Sequence, residues 1–257
     1  MDDDARWHIL SAIKEEWSMS YDPQKTTWYN PNIEYIFNTE IIEYDIRDAG
    51  FSIIKEFKLL PDEKIRELER LPKGFERHVA VGKLQRDDKD FSKALTSKFA
   101  EARRAFISVN NLTDADIISV KKDAIFVINT VSRTKFGIVE FAMKNTYSSY
   151  IRFSDVNNLE IYYHDNDFDI KGMSDDSVNK HRLWMLEFLQ KVIPMIENKD
   201  IRIKRFMINF LDGYKSLSLD DEYYLEFNNL STKTNPIFNY QKIIIPLMQI
   251  IARELVL

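Results

Sequence analysis

The chain of 257 residues contains no cysteine. Disulfide bonds, thiolate metal sites and a cysteine nucleophile are therefore excluded. Glycine is scarce, with six residues, and neither G-x-x-x-x-G-K-[ST] nor G-x-G-x-x-G occurs, which excludes the two common glycine-rich phosphate loops. H-E-x-x-H and G-x-S-x-G are missing as well, so the signatures of zinc proteases and serine hydrolases are absent.

Long apolar runs are also missing. No run approaches the roughly 18 residues that indicate a membrane-spanning helix, and the first ten residues, MDDDARWHIL, are acidic where a signal peptide would be basic. We therefore expect a protein without membrane association that works in the cytoplasm, or in the host cytoplasm if a phage encodes it.

The charge is negative overall but unevenly distributed. A formal net charge of −5 counts against indiscriminate binding to nucleic acid, because phosphate neutralisation dominates such affinity. Basic residues outnumber acidic ones between Lys55 and Arg104, whereas both ends of the chain and the segment from Asp165 to Asp176 are acidic. A basic surface beside an acidic site suits an enzyme that acts on phosphates, and a mixed helical surface gives the same pattern.

The order of hydrophobic patterns predicts an α+β fold with an antiparallel sheet, helices on one face and a helical C-terminal subdomain. The predicted segments are an N-terminal helical or irregular part (1–40), an α+β domain (41–175) and the helical subdomain (176–257). The predicted strands are Ile41–Ile46, a short one within 75–84, the hairpin Ile117–Val120 with Ala124–Val131, Phe136–Met143, Ser148–Phe153 and Leu159–His164. The predicted helices are Asp48–Leu59, Asp62–Leu71, Asp90–Asn110, His181–Ile196, Asp200–Tyr214 and Phe238–Leu255.

Two β-branched runs each deliver one aspartate to a strand end or tight turn. IIEYDIRDAGFSII carries Asp45 and IISVKKDAIFVI carries Asp123. Carboxylates that converge from separate strands can share divalent ions in phosphoryl transfer, and Mg²⁺ prefers such oxygen ligands. The alternative is ordinary turn chemistry, in which a Lys-Lys-Asp hairpin turn and a helix-capping Asp48 have only structural roles.

The same two stretches resemble the family B DNA polymerases. Asp45–Ile54, DIRDAGFSII, is similar to their motif A, D-x-x-S-L-Y-P-S-I-I, and Lys122–Val127, KDAIFV, is similar to the end of their motif C, D-T-D-S-I-F-V. Asp123 matches the second aspartate of motif C, which is the metal ligand in that family, while the first aspartate falls on Lys121. Motif B, K-x-x-x-N-S-x-Y-G, and the exonuclease domain are missing.

This resemblance implies a reduced palm domain that adds nucleotides to a nucleic-acid 3′ end. Asp45 and Asp123 would be the catalytic residues and would hold two Mg²⁺ (or Mn²⁺) ions. Candidate ligands for the nucleoside triphosphate are cations of the helix that stands in place of motif B, namely Lys98, Arg103 and Arg104. Lys144 and Tyr147 loosely match the K-x-Y that contacts the primer, and the helical C-terminal subdomain would be thumb-like.

Two other hypotheses remain open at this point. Lys121 and the missing motif B favour a catalytically inactive palm-like protein that binds nucleic acid, or assembles with other subunits, in a phage replication or transcription complex. The third hypothesis is a globular protein of unrelated function in which both motifs match by chance.

Overall fold

The computed structural model describes residues 17, 19–153, 159–164, 167–172, 188–220, 225–226 and 230–231. The chain forms two compact units, one from Met1–Asn32 with Glu40–Thr146 and the other from Ile33–Thr39 with Tyr147–Leu257. The predicted division into 1–40, 41–175 and 176–257 stays a prediction, because residues 173–187 around its second boundary lie outside the described part.

The first unit contains a six-stranded sheet with the strand order β1-β4-β5-β3-β7-β6. Its strands are β1 (Trp28–Tyr29), β3 (Ile41–Ile46), β4 (Ile117–Val120), β5 (Ala124–Ile128), β6 (Lys135–Phe136) and β7 (Val139–Tyr147). The predicted first strand and the hairpin are therefore confirmed. Successive side chains of β3 point to opposite faces of the sheet. Ile42, Tyr44 and Ile46 belong to the hydrophobic core. Glu43 and Asp45 therefore lie on the opposite face.

Four helices of the first unit contribute to the same core as β3. They are α1 (Ala49–Phe57), α2 (Asp62–Arg70), α3 (Phe75–Asp87) and α4 (Lys89–Val109). The longest, α4, starts at Asp88, whose carboxylate accepts hydrogen bonds from the backbone N–H groups of Asp90 and Phe91. The ring of Phe106 lies 5.4 Å from Tyr44 and 4.5 Å from Phe141, centroid to centroid. The α+β class with helices packed on an antiparallel sheet is thus confirmed.

Two local predictions were wrong, and a third was confirmed in part. The run HVAVGKL is part of helix α3 and not a strand, because Arg77 and Val81, four residues apart, share its buried face. Asp48 precedes α1 but makes no side-chain capping hydrogen bond, since its carboxylate pairs with Arg77. The predicted strand Phe136–Met143 is divided into β6 and β7 at Gly137, which has a φ of 63°.

The second unit contains a four-stranded antiparallel sheet with the order β10-β9-β8-β2. Its strands are β2 (Tyr35–Ile36), β8 (Ser149–Phe153), β9 (Leu159–His164) and β10 (Asp167–Lys171). The described helical residues are 188–197, named α5, and α6 (Arg202–Lys215). Residues from these strands and helices share one core, including Ile161, Phe168, Val192 and Met207.

The helical prediction for the C-terminal region is confirmed where it can be compared, at α5 and α6. The short strands β11 (Leu225–Glu226) and β12 (Leu230–Ser231) pair with each other. The predicted helix Phe238–Leu255 lies outside the described residues.

Candidate metal centre

Asp45 and Asp123 meet at one end of the first sheet. Strand β3 runs antiparallel to β5 with Asp45 opposite Ala124, the residue after Asp123. The backbone N–H of Ile46 donates to the carbonyl oxygen of Asp123 over 2.9 Å. The β4–β5 turn that carries Asp123 is closed by the N–H of Lys121, which donates to the carbonyl oxygen of Ala124 over 2.8 Å. The two aspartates singled out in the sequence therefore become neighbours through strand pairing.

The carboxylate of Asp45 lies in a partly buried and negatively charged environment. Burial raises its pKa above the ordinary value, and the charges of Asp123 and Glu43 add to this effect. A hydrogen bond from Lys144 acts in the opposite direction without cancelling the rise. A positive charge near Asp45 lowers this pKa, and the ammonium of Lys144 is one such charge.

Glu43 is a third carboxylate of this cluster, and it was not among the residues singled out from the sequence. Its side chain is only 3% exposed. The ammonium of Lys144 on β7 lies 3.0 Å from Oδ2 of Asp45 and 3.2 Å from Oε1 of Glu43, and the amide of Asn145 donates to Oε2 of Glu43 over 2.8 Å. The alternation of Glu43 and Asp45 on one face of β3 is the sequence signal that would have identified it.

The charge on Lys144 is stabilised by these contacts. Burial alone would lower its pKa, but the hydrogen bond to Asp45 and the negative charge of Glu43 outweigh burial and raise the pKa well above the ordinary lysine value. Lys144 is therefore a fixed positive charge at neutral pH, and its side chain is still half exposed.

The donor atoms fit a magnesium-type ion. Asp45 and Asp123 would supply oxygen ligands, and Mg²⁺ is usually bound by one or two carboxylates together with substrate phosphates and water. Within the described ranges, no cluster of three or more histidine, aspartate or glutamate side chains is arranged around a common metal position. The remaining ligands of an ion held by Asp45 and Asp123 would therefore come from water and substrate.

Arg103, predicted as a triphosphate ligand, is fully buried. Its Nη1 donates to the carbonyl oxygen of Lys122 in the β4–β5 turn over 2.5 Å, and its Nε donates to the hydroxyl of Tyr21 over 2.7 Å. Its Nη2 donates to the carbonyl oxygens of Pro23 and Lys25. These contacts favour a structural role in which Arg103 holds the turn next to Asp123.

The other predicted substrate ligands lie in different surroundings. Lys98 pairs with Glu101 over 2.6 Å, and the guanidinium of Arg104 lies 5.3 Å from the ring centre of Trp17. Tyr147 is buried in the second unit and donates its hydroxyl to Asp169 over 2.5 Å. Lys144 contacts the carboxylates of Asp45 and Glu43, and substrate binding by all five residues stays a prediction.

The raised pKa of Asp45 predicts a pH-dependent difference between the protein and an Asp45→Asn variant. A carboxyl group whose pKa is higher in the folded state binds protons more readily there than when unfolded, so its stabilising contribution is complete below the ordinary carboxyl pKa. That contribution is lost as pH rises through the folded-state value. As pH rises from the ordinary carboxyl pKa to the folded-state pKa of Asp45, we therefore expect the Asp45→Asn variant to gain stability relative to the parent protein. Above the folded-state pKa, the difference in stability between the two proteins should be constant.

Urea unfolding of both proteins from pH 3 upward measures that difference. A relative stability that stays flat, or that moves in favour of the parent as pH rises, would contradict the assigned environment of Asp45. Asp90→Asn is the matched control, because the side chain of Asp90 is 97% exposed.

A family model described as Bacteriophage PBS1 gene 130 protein matches residues 19–249. The chain belongs to this phage protein family. The gene 130 description names no activity, and no curated protein matches the chain. Among the described residues of this gene 130 family member, no helix combines the length and apolar character needed to cross a membrane.

Proposed function

We propose that this gene 130 family member is a metal-dependent nucleotidyltransferase that adds nucleotides to the 3′ end of a nucleic acid. The observation that carries the proposal is the pairing of β3 with β5, which places Asp45 beside Asp123. In the strand order β4-β5-β3-β7, Asp45 and Asp123 lie at the same end of one antiparallel sheet. The proposal thus depends on two sequence-distant aspartates that lie at the same end of one sheet, where burial and the charge of Asp123 raise the pKa of Asp45.

The chemistry is an in-line displacement. The 3′-oxygen forms a bond to the α-phosphorus of the triphosphate, the bond to the pyrophosphate oxygen breaks with its electron pair, and the hydroxyl proton passes to water. A divalent ion held by Asp45 and Asp123 would supply activation of the attacking oxygen and charge neutralisation of the leaving oxygen. Arg103 contributes by fixing the turn that carries Asp123.

A group of exposed cations in the second unit supports nucleic acid as the partner. Lys199, Arg202, Lys204 and Arg205 lie at the start of α6 and are all exposed, and the first turn of this helix contains no acidic residue. Arg202 pairs with Asp200, whose carboxylate also accepts from the backbone N–H of Arg202, so Lys199, Lys204 and Arg205 are the cations that would neutralise phosphates of a nucleic acid. Nucleoside triphosphates as substrates, association with other replication or transcription subunits and location in the host cytoplasm belong to the same proposal.

One observation favours a second candidate, the inactive palm-like subunit. Lys144 already neutralises part of the acidic cluster through Asp45 and Glu43, and Lys121 occupies the place of an acidic motif residue. In that candidate the cluster is a structural ion pair, and the protein acts by binding nucleic acid or a partner subunit.

Primer extension distinguishes the two candidates. Labelled primer–template is incubated with Mg²⁺ or Mn²⁺ and with either deoxyribonucleotides or ribonucleotides. We expect extension by the wild type and a loss of roughly a hundredfold or more in Asp45→Asn and Asp123→Asn, the scale on which groups that neutralise transition-state charge act. The control Asp90→Asn should retain wild-type activity.

Extension that survives both active-site substitutions would refute the assignment. Absence of extension by folded wild-type protein that still binds the primer–template would favour the inactive subunit. A mobility-shift assay on the same samples supplies the binding result.

A further inference from the structure

We propose that the ammonium group of Lys144 takes the place of one of the two divalent ions expected from the sequence, so that the centre binds a single divalent ion. This inference rests on the proposed nucleotidyltransferase function and specifies the cations of its site. It concerns Lys144, Glu43 and Asp45, which lie on the adjacent strands β7 and β3.

The geometry places Lys144 where a shared cation would be bound. Its Nζ bridges Oδ2 of Asp45 at 3.0 Å and Oε1 of Glu43 at 3.2 Å. The second oxygen of Glu43 accepts a hydrogen bond from the Asn145 amide, so Glu43 is oriented towards Lys144 and already has partners for both oxygens. The buried Glu43 therefore forms a site for an ammonium and not an open site for a metal ion.

The charges of the cluster balance with one divalent ion. Glu43, Asp45 and Asp123 contribute three negative charges, and Lys144 contributes one positive charge. One divalent ion makes the sum zero, whereas two would leave an excess of two positive charges. A second ion shared by Asp45 and Glu43 would have to occupy the position of the ammonium, because Nζ of Lys144 bridges the oxygens of these two carboxylates.

The exposure of Lys144 allows it to act on substrate as well. Its side chain is 51% exposed, whereas Glu43 beneath it is buried. Lysine is a compact point charge that binds phosphate without a fixed planar geometry. Lys144 can therefore contact a phosphate oxygen while Glu43 and Asp45 keep its ammonium in position.

Counting bound Mn²⁺ tests the inference without any need for activity. Free Mn²⁺ is measured by electron paramagnetic resonance during titration of the protein at neutral pH, with folding checked by circular dichroism. We expect one bound ion in the wild type, one in Lys144→Arg, which keeps the charge, and two in Lys144→Gln, which releases the carboxylates. The control Lys64→Gln should bind one ion, because Lys64 is ion-paired with Glu67 on the exposed face of α2.

Two bound ions in the wild type would overturn the inference, whatever the variants do, and would leave the proposed function standing. One ion in a folded Lys144→Gln variant would overturn it too. No bound ion in the wild type, together with no primer extension, would overturn both the inference and the proposed function.

Discussion

Replacement of Arg103 by methionine is expected to lower the free energy of unfolding by about 3 kcal/mol or more. Arg103 is fully buried and donates to Tyr21 and to backbone carbonyl oxygens on two separate parts of the chain. Methionine has a similar length but no donors, so the hydroxyl and the carbonyl groups would lose their partners. Each buried polar group left unpaired costs about 1–3 kcal/mol, and packing by the methionine side chain recovers only part of this.

Urea unfolding monitored by tryptophan fluorescence measures the effect. Tyr21→Phe leaves one buried N–H of Arg103 without its acceptor and should cost about 1–3 kcal/mol, less than Arg103→Met, which leaves several groups unpaired. Lys98→Met is the control on the same helix and should change stability by less than about 1 kcal/mol, because its ion pair is partly exposed. A loss for Arg103→Met no greater than that for Lys98→Met would show that the buried contacts do not hold the turn.

Replacement of Arg77 by methionine is expected to cost a similar amount, about 3–5 kcal/mol, the range for breaking a buried ion pair by removing one partner. Arg77 is 4% exposed, pairs with Asp48 and lies 4.3 Å from the ring centre of Phe51. It also donates to carbonyl oxygens at the C-terminal end of α2, namely those of Leu68, Glu69 and Leu71. Helix ends require such partners, so the variant loses an ion pair and a helix cap together.

The variant Asp48→Asn separates these two contributions. It weakens the ion pair but leaves the three carbonyl contacts of Arg77 intact, so we expect a loss well below that of Arg77→Met. Equal losses in the two variants, measured by chemical unfolding, would mean that the carbonyl contacts contribute nothing.

The strand and helix pattern was largely predictable because it depends on local periodicity. Strand β3 and helix α4 have clear apolar alternation or an apolar stripe, and both were found where the pattern placed them. The run around Val79 was misassigned because its short apolar alternation resembles a strand, whereas its helical face depends on the burial of a charged residue, Arg77. Sequence periodicity treats arginine as a surface residue, so it gives no sign of that burial.

The same limit applies to the candidate site. The proximity of Asp45 and Asp123 along the sheet was predictable from two strand-like stretches, because a strand and a hairpin that belong to one sheet can bring their ends together. The contact between Glu43 and Lys144 and the role of Arg103 were missed because they depend on which strand lies beside β3 and which loop crosses α4. Both are contacts between residues far apart in sequence: Lys144 and Glu43 are separated by 101 positions, and Arg103 and Tyr21 by 82 positions.

We propose that Asp45 and Asp123 hold a divalent ion, and diffraction from crystals soaked in Mn²⁺ can locate that ion. Data collected near the manganese absorption edge locate the ion by its anomalous scattering. We expect one peak within coordination distance of both carboxylates, with the ammonium of Lys144 still in contact with Glu43. A peak located elsewhere, or no peak while both aspartates are well ordered, would contradict it.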